Sequence, residues 1–390
     1  MSANDFDGLR PRTAGLSDGH ERWRLSLRGF VDEKIAPHID AWSDAGTFPD
    51  SLYEDAAKSG LLGFGFPAEL GGWREDVDLY HRIIFAEEMH RLGSGVVFAD
   101  LATHWIGLPP VVQWGMKTLQ ESVVRPVLAG RQRIAFAVTE PGGGSDVAAF
   151  TTTAVREGDD YRLSGAKTLI SGAARADWLL LVANVSDGDQ GGLTLFLVDA
   201  KSAGVTISPL PGLKWYSASN ATIELENVLV QASMRVSEVG QAFRDLTQQF
   251  NIERFSGIAS ALALARVATA DAIAWAQERT TFGKRLAEHQ SLKHRLVSMV
   301  REIHAAYGYL DQCVWRFENG EMPVADLCML KIHATGVLEK CAQGAMHVLA
   351  GEAYRGNRRV QRIYREAQIF TVGGGTEEIL NDLAARQMKF

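Results

Sequence analysis

Glu253 stands in an apolar setting, flanked by Phe250, Ile252 and Phe255 just ahead of the run from Ile258 to Ala265. A carboxylate on such a face is costly unless it is paired or put to use, which makes Glu253 the candidate proton acceptor of the chain. A surface pair with Arg254, or with a residue one helical turn away, is the plain alternative. The second stretch of chemical interest runs from Ala135 to Asp146. There a strand-type apolar run meets Pro141, which cannot continue a ladder, and then Gly142, Gly143 and Gly144, whose missing Cβ atoms let backbone amides approach a ligand. The pattern is neither GxGxxG nor a Walker loop, so the residues alone fit a floor for a flat or phosphorylated cofactor and a simple chain reversal about equally. Arg279 and Lys284 add a third group. A guanidinium fork matches the oxygens of a pyrophosphate, although in isolation both side chains read as solvated charges at a helix end.

These residues need elements to hold them. From about Leu16 to Leu128 apolar residues recur at three- and four-residue spacing, as in Trp23, Leu27, Phe30, Val31 and Ile35, with stops at Pro37, Gly46 to Pro49 and Pro67 to Gly72. Between Ile134 and Val236 the period becomes strand-like. Runs at Tyr161 to Leu163, Trp178 to Val182, Leu193 to Val198, Val205 to Ile207 and Thr222 to Leu225 are separated by turn residues, as in an antiparallel barrel or sandwich. After Val239 the one proline is Pro323, and long helical periodicities cover Phe243 to Gln277, Leu292 to Phe317 and Val324 to Leu349, lengths that suit a helical bundle. Asp326 suits a first turn, and Gly351 a helix stop. The expected fold is α+β: an N-terminal helical domain (1–132), a middle β-domain (133–238) and a C-terminal four-helix bundle (239–390).

Composition narrows the class. With 390 residues, 46% hydrophobic and 22% charged, the chain has the make-up of a globular protein. A net charge of −7 without any basic block argues against nucleic acid as a partner. Cys313, Cys328 and Cys341 are too widely spaced for CxxC metal chemistry and odd in number, so three reduced thiols and no metal site are expected. Met1 to Gly15 lack a signal-type apolar core, and no run reaches roughly 18 uninterrupted apolar residues. A cytoplasmic protein with no membrane span is expected.

Thr139-Glu140-Pro141-Gly142 with Gly144-Ser145-Asp146 closely resembles the TEPxxGSD signature of the acyl-CoA dehydrogenases, a flavoprotein family. Arg279-Thr280-Thr281-Phe282-Gly283-Lys284 with Gln290 is similar to that family's RxxFGxxxxxxQ segment, which reaches the pyrophosphate and adenine of FAD across a subunit interface. His347 to Tyr354 stands where a QxxGGxGY turn is usual, with Gly351 and Tyr354 matching. Leu169-Ile170-Ser171 stands where an aromatic, Ile and Thr or Ser meet the flavin; Leu169 removes the ring, and Ser171 keeps the hydroxyl that bonds near N5. The resemblance implies FAD contacts at Phe136, Val138, Thr139, Ser145, Ile170, Ser171, Arg279, Phe282, Gln290, His347, Gly351, Thr376 and Glu378. It implies substrate contacts at Ser145, Asn251, Arg254 and Gly374.

Many members carry their catalytic Glu directly before a Gly-Thr pair, and here that position is Gly374, which has no side chain to take a proton. The isovaleryl and long-chain branch instead places it in an ER pair on a C-terminal helix, which this sequence matches at Glu253-Arg254; Glu377 and Glu378 are reserves that look like helix-start residues. The implied activity is α,β-dehydrogenation of an acyl-CoA, with electrons passing to an electron-transfer flavoprotein and a homotetramer as the assembly. An acyl-CoA oxidase, a flavin monooxygenase, a dehydrogenase of carrier-protein thioesters and a flavin-holding protein without turnover remain alternatives.

Overall fold

Where the sequence changes from three-and-four spacing to alternation, the backbone of the computed structural model changes from helix to strand. It describes residues 5–13, 15–186, 191–210, 219–355 and 359–390. Packing groups the chain into two units, one of 1–44, 78–95 and 251–390, the other of 45–77 and 96–250.

The second unit is built on a seven-stranded sheet: β1 (Ile134–Ala137), β2 (Thr153–Glu157), β3 (Asp160–Ile170), β4 (Trp178–Val185), β5 (Gly192–Asp199), β6 (Val205–Pro209) and β7 (Ala221–Val230). Strand order is β1-β4-β2-β3-β7-β6, with β5 also on β4. The runs expected from alternation all fall inside these strands, whereas β2, mostly exposed and carrying Arg156 and Glu157, was too polar to stand out. One correction concerns direction. The β2/β3, β3/β7, β4/β5 and β6/β7 pairs are antiparallel as expected, but β4 takes β1 and then β2 in parallel along its other edge. Leu179 to Ala183 of β4 are all buried, as a strand covered on both faces requires. Tyr161, Leu163, Leu181, Phe196, Ile223 and Val228 form the heart of its core.

Gly130 turns the chain from helix Arg125–Leu128 toward β1 at φ +70°, and a Cβ there would stand 2.4 Å from the Tyr53 carbonyl oxygen. Gly130→Ala is therefore expected to lower the stability of this unit by about 1–3 kcal/mol, read as a lower denaturation midpoint, because both the left-handed backbone and the clash resist a side chain.

The first unit is helical. Ser17 and Asp78 cap Asp18–Phe30 and Leu79–His90 through capping boxes in which the partner side chain is His20 or His81. Ser17 N–H donates to His20 Nδ1 at 3.0 Å, so the ring proton sits on Nε2 and is donated to Asp78 at 2.9 Å. His20, Asp78 and His81 have metal-ligand spacing, yet each imidazole is committed to a cap. Deeper inside, the Glu87 carboxylate accepts from Arg10 at 2.8 Å and Arg24 at 3.2 Å, with Arg266 at 3.6 Å, and these guanidiniums hold it at a pKa of about 2 against burial.

Ala242–Glu278 is a 37-residue helix that runs on from the second unit into the first. By composition and length it would pass for a membrane span, but its apolar stretch is 78% buried inside the protein. Gln290–Glu318 and Val324–Leu349 follow, as the periodicity indicated, and Asp326 lies in the first turn of the latter. Arg359–Val372 and Glu377–Met388 complete the bundle, Thr376 capping the last of them. The stop after Leu349 is made by Ala350 at φ +50°, one residue ahead of Gly351. Cys313, Cys328 and Cys341 are buried free thiols.

Candidate active site

Ala135 and Ala137 point into the core of the sheet, which leaves Phe136 and Val138 half-buried on the other face, with Phe250 6.1 Å from the Phe136 ring. The loop after β1 folds back on itself through paired hydrogen bonds between Glu140 and Gly143, 3.0 and 3.1 Å. Thr168 N–H donates to the Thr139 carbonyl at 2.9 Å, tying this loop to the end of β3. At that end β3 bulges: Leu169 adopts φ +58° and is 55% exposed, while Ile170 turns inward and Ser171 Oγ contacts Asn220 Oδ1 at 3.4 Å. Ser145 is exposed at the loop tip.

Two residues that sequence reasoning left without a role hold this arrangement. Glu140 is buried and accepts from Lys167 Nζ at 2.8 Å, Thr151 N at 2.6 Å, Thr151 Oγ1 at 2.9 Å and Thr152 N at 3.0 Å. Burial would raise its carboxyl pKa, but Lys167 and the Thr151 and Thr152 donors bring it to about 2. The Lys167 ammonium, fully buried, also donates to the Val138 carbonyl at 3.1 Å and lies 4.7 Å from the centre of the Phe150 ring. Its own pKa is lowered by burial despite Glu140, because it has fewer partners than the carboxylate. The signal for Lys167 was present: it shares the inward face of β3 with Tyr161 and Leu163, where a lysine is out of place unless paired.

In the helical unit, Glu253 lies on the inner side of the long helix. Its Oε2 is closed off from solvent and has no hydrogen-bond partner. Burial raises its pKa to about 7, and the attraction of Arg82, on helix Leu79–His90, only partly opposes this. Arg82 carried no sequence signal. A half-buried carboxyl group with one oxygen closed off and unpartnered, and a pKa close to neutrality, is what a general base requires.

Next to it, Arg254 Nη1 bonds Asn251 Oδ1, and burial lowers the guanidinium pKa. Arg254 also repels Lys331, whose ammonium, lowered by burial first, falls to about 8. Lys331 Nζ donates to Gly375 O at 2.7 Å and Thr371 O at 3.2 Å. It thus clamps the turn formed by Gly374 at φ +74° and Gly375 at φ +110°, a conformation that only glycine takes readily. Half-buried Thr376 caps the helix after the turn, and Glu377 and Glu378 are exposed in its first turn, as their type suggests.

Arg279 and Phe282 lie at one exposed hairpin, Thr280–Thr281 against Lys284–Arg285, with Phe282 97% exposed, and Gln290 is exposed at the start of helix Gln290–Glu318 that follows it. His347 is exposed and bonds Arg295 at 2.5 Å, and Gly351 is exposed beyond it.

The residues at the ends of β1 and β3 suit a flavin. Hydroxyls of Thr139, Ser145 and Ser171 alternate with the apolar Phe136, Val138, Leu169 and Ile170, the mixture a flat ring with a polar rim needs. A Cβ at Gly142 would meet nothing within 4 Å, so the loop backbone stands open to a ligand.

Comparison with known proteins assigns the chain to a family. Models of the acyl-CoA dehydrogenase N-terminal, middle and C-terminal domains match residues 17–131, 135–228 and 240–389. A 3-(aryl)acrylate reductase of Clostridium sporogenes is 30% identical, over 93% of this chain and 97% of its own. Caffeyl-CoA reductase-Etf complex subunit CarC of Acetobacterium woodii is 29% identical, over 93% and 96%. The crystal structure of acyl-CoA dehydrogenase from Geobacillus kaustophilus superposes with a TM-score of 0.92 at 26% identity, covering 97% of this chain and all of that one.

Proposed function

Since the chain belongs to the acyl-CoA dehydrogenase family, FAD-dependent oxidoreductases acting on CH–CH bonds, we propose that it desaturates an acyl-CoA between Cα and Cβ with Glu253 as the base. One observation carries this reading: the Glu253 carboxyl, half-buried in an apolar setting with its Oε2 closed off and without a hydrogen-bond partner, and with its pKa near 7.

FAD, when bound, supplies the hydride acceptor. Glu253 takes the proton from Cα, and its desolvation makes the carboxylate a stronger base than one in water. As that proton leaves, negative charge grows on the thioester oxygen. The amide at Gly374 is the donor proposed for it, and a well-placed donor of this kind is worth roughly 3 to 4 kcal/mol. Lys331, by clamping the Gly375 and Thr371 carbonyls, keeps that turn in place. Thr139, Ser145, Ser171 and Thr376 supply hydroxyls toward the flavin, while Arg279 and Gln290 suit its phosphate and adenine end. His347, Gly351 and Glu378 belong to the same proposal as outer contacts, with Asn251 orienting Arg254 beside the substrate.

Electron-transfer flavoprotein is the proposed electron acceptor, supported by the name of CarC, which places that relative in an Etf complex. A homotetramer is part of the reading, since the ring of Phe282, 97% exposed, is apolar surface that an assembly would cover. A cytoplasmic location is proposed with it. A second reading, reduction of a 2-enoyl thioester at the same site, is favoured by the names of two relatives, both reductases.

The test is a visible spectrum of the purified holoprotein followed by anaerobic addition of saturated acyl-CoAs. Bleaching of the flavin absorbance, and its slow return in air against rapid return with electron-transfer flavoprotein, is expected. Rapid return in air alone would point to an oxidase. Bleaching by no saturated thioester, with 2-enoyl-CoA reoxidising the reduced protein, would favour the reductase direction.

A further inference from the structure

One and two turns beyond Glu253, the long helix carries two side chains that the fold leaves unserved. Ser256 and Ser260 are each 1% exposed, and the Oγ of each, like Glu253 Oε2, has no hydrogen-bond partner among the described residues. A hydroxyl buried in mid-helix ordinarily bonds back to the carbonyl one turn earlier. Thr269 does so here, to Ala265 O at 2.8 Å, and Thr335 to Lys331 O at 3.1 Å. Ser256 and Ser260 do not follow them.

The spacing i, i+3 and i+7 sets Glu253, Ser256 and Ser260 on one face of the helix, the serines about 4.5 Å and about 10.5 Å along the axis from the glutamate. Gly257, at i+4, shares that face. A Cβ built on it would meet no atom within 4 Å, so the face is open there rather than packed. Glycine disfavours a helix interior, and no neighbour presses against Gly257 to require it, so what its missing side chain leaves is room.

We infer that this face holds the acyl chain of the substrate, and that Ser256 and Ser260 hydrogen-bond an oxygen substituent, a hydroxyl or oxo group, carried beyond the β carbon. This rests on Glu253 acting at the α carbon, because the same face then continues outward from the reacting bond. A wholly hydrocarbon chain would leave both hydroxyls buried and unpaired, whereas an oxygen on the chain satisfies them; sites built in this way discriminate against the analogue that lacks the polar group. Substrates of this class are hydroxylated or oxo acyl thioesters rather than simple fatty acyl ones.

The experiment compares a straight-chain saturated acyl-CoA with counterparts of equal length hydroxylated at successive positions from the γ carbon outward. It uses holoprotein without oxygen and follows the rate of flavin bleaching against thioester concentration. At least one hydroxylated substrate is expected to be used about tenfold or more efficiently than the plain one, a discrimination of the kind hydrogen-bonding pockets give. The Ser256→Ala, Ser260→Ala double variant should shrink that preference to within about threefold, chiefly through KM. Its melting temperature should be equal to or above that of the native protein, since alanine favours helix and removes an unpaired hydroxyl. A plain acyl-CoA as good as every hydroxylated one overturns the inference and leaves the dehydrogenase reading standing. So does an unchanged preference in the variant, or a lowered melting temperature. Failure of all the thioesters to bleach the flavin overturns the reading itself, and the inference with it.

Discussion

Glu253→Gln is expected to bind FAD as before and to lose about a thousandfold or more in the rate of flavin reduction by acyl-CoA, the upper range of what a general base contributes. Glutamine keeps the shape and gives up the proton-accepting oxygen. The same substitution should stabilise the fold at alkaline pH. Burial raises the folded pKa of Glu253 from 4.5 to about 7, so the native state favours the protonated form. That preference helps folding fully below the unfolded value of about 4.5 and is lost as pH rises through about 7; measured against a neutral side chain, this same swing of roughly 3 kcal/mol is the penalty that the ionised, desolvated carboxylate carries there. Removing the penalty should raise the denaturation midpoint at pH 8, with a smaller difference at pH 4. Activity should run the other way in the native protein, rising through about pH 7 as the carboxylate ionises. A group that destabilises the protein in the state in which it works marks a site selected for chemistry.

Lys167→Met is expected to cost about 3–5 kcal/mol and to release FAD, because it leaves the buried Glu140 carboxylate without its ammonium. Glu140→Gln should cost a similar amount from the other side, since the buried Lys167 ammonium would lose its counter-charge and be left with neutral acceptors such as the Val138 carbonyl and with the Phe150 ring. The double variant should recover part of the loss, the excess over additivity measuring the pair. Acid should have the same effect. Glu140 is held down from 4.5 to about 2, so its stabilising contribution of roughly 3 kcal/mol is present above pH 4.5 and lost as the pH falls toward 2. The measurement is chemical denaturation with and without added FAD. Near-native stability in Lys167→Met, with flavin retained, would separate the ion pair from the loop that carries Thr139.

Most of the architecture was legible because the hydrophobic period changes cleanly at Ile134 and again near Val239, and those changes coincide with real element boundaries. Pairing direction was not, since β1 reaches β4 across two intervening strands and nothing local in Ile134–Ala137 says which partner waits. At the site, Glu253 was readable from its apolar neighbours and is found half-buried, with its Oε2 closed off from solvent. Its charge partner Arg82 was not, because the two are 171 positions apart and a lone arginine on a helix reads as a solvated side chain. Lys331 was hidden in the same way inside an apolar helix, although a lysine at 6% exposure needs acceptors and finds them on the glycine turn. Glu140 was visible within the Thr139 to Asp146 motif, but the motif does not reveal that this carboxylate is an internal brace and not a ligand contact.

The claim that Glu253 removes the α proton can be isolated from hydride transfer by using an acyl-CoA whose β carbon bears no hydrogen. Incubated with the holoprotein in deuterated buffer, its α hydrogens should exchange for deuterium, at a rate that climbs through about pH 7, and Glu253→Gln should not catalyse the exchange. Equal exchange by the variant and the native protein would contradict the account and move the base to another residue.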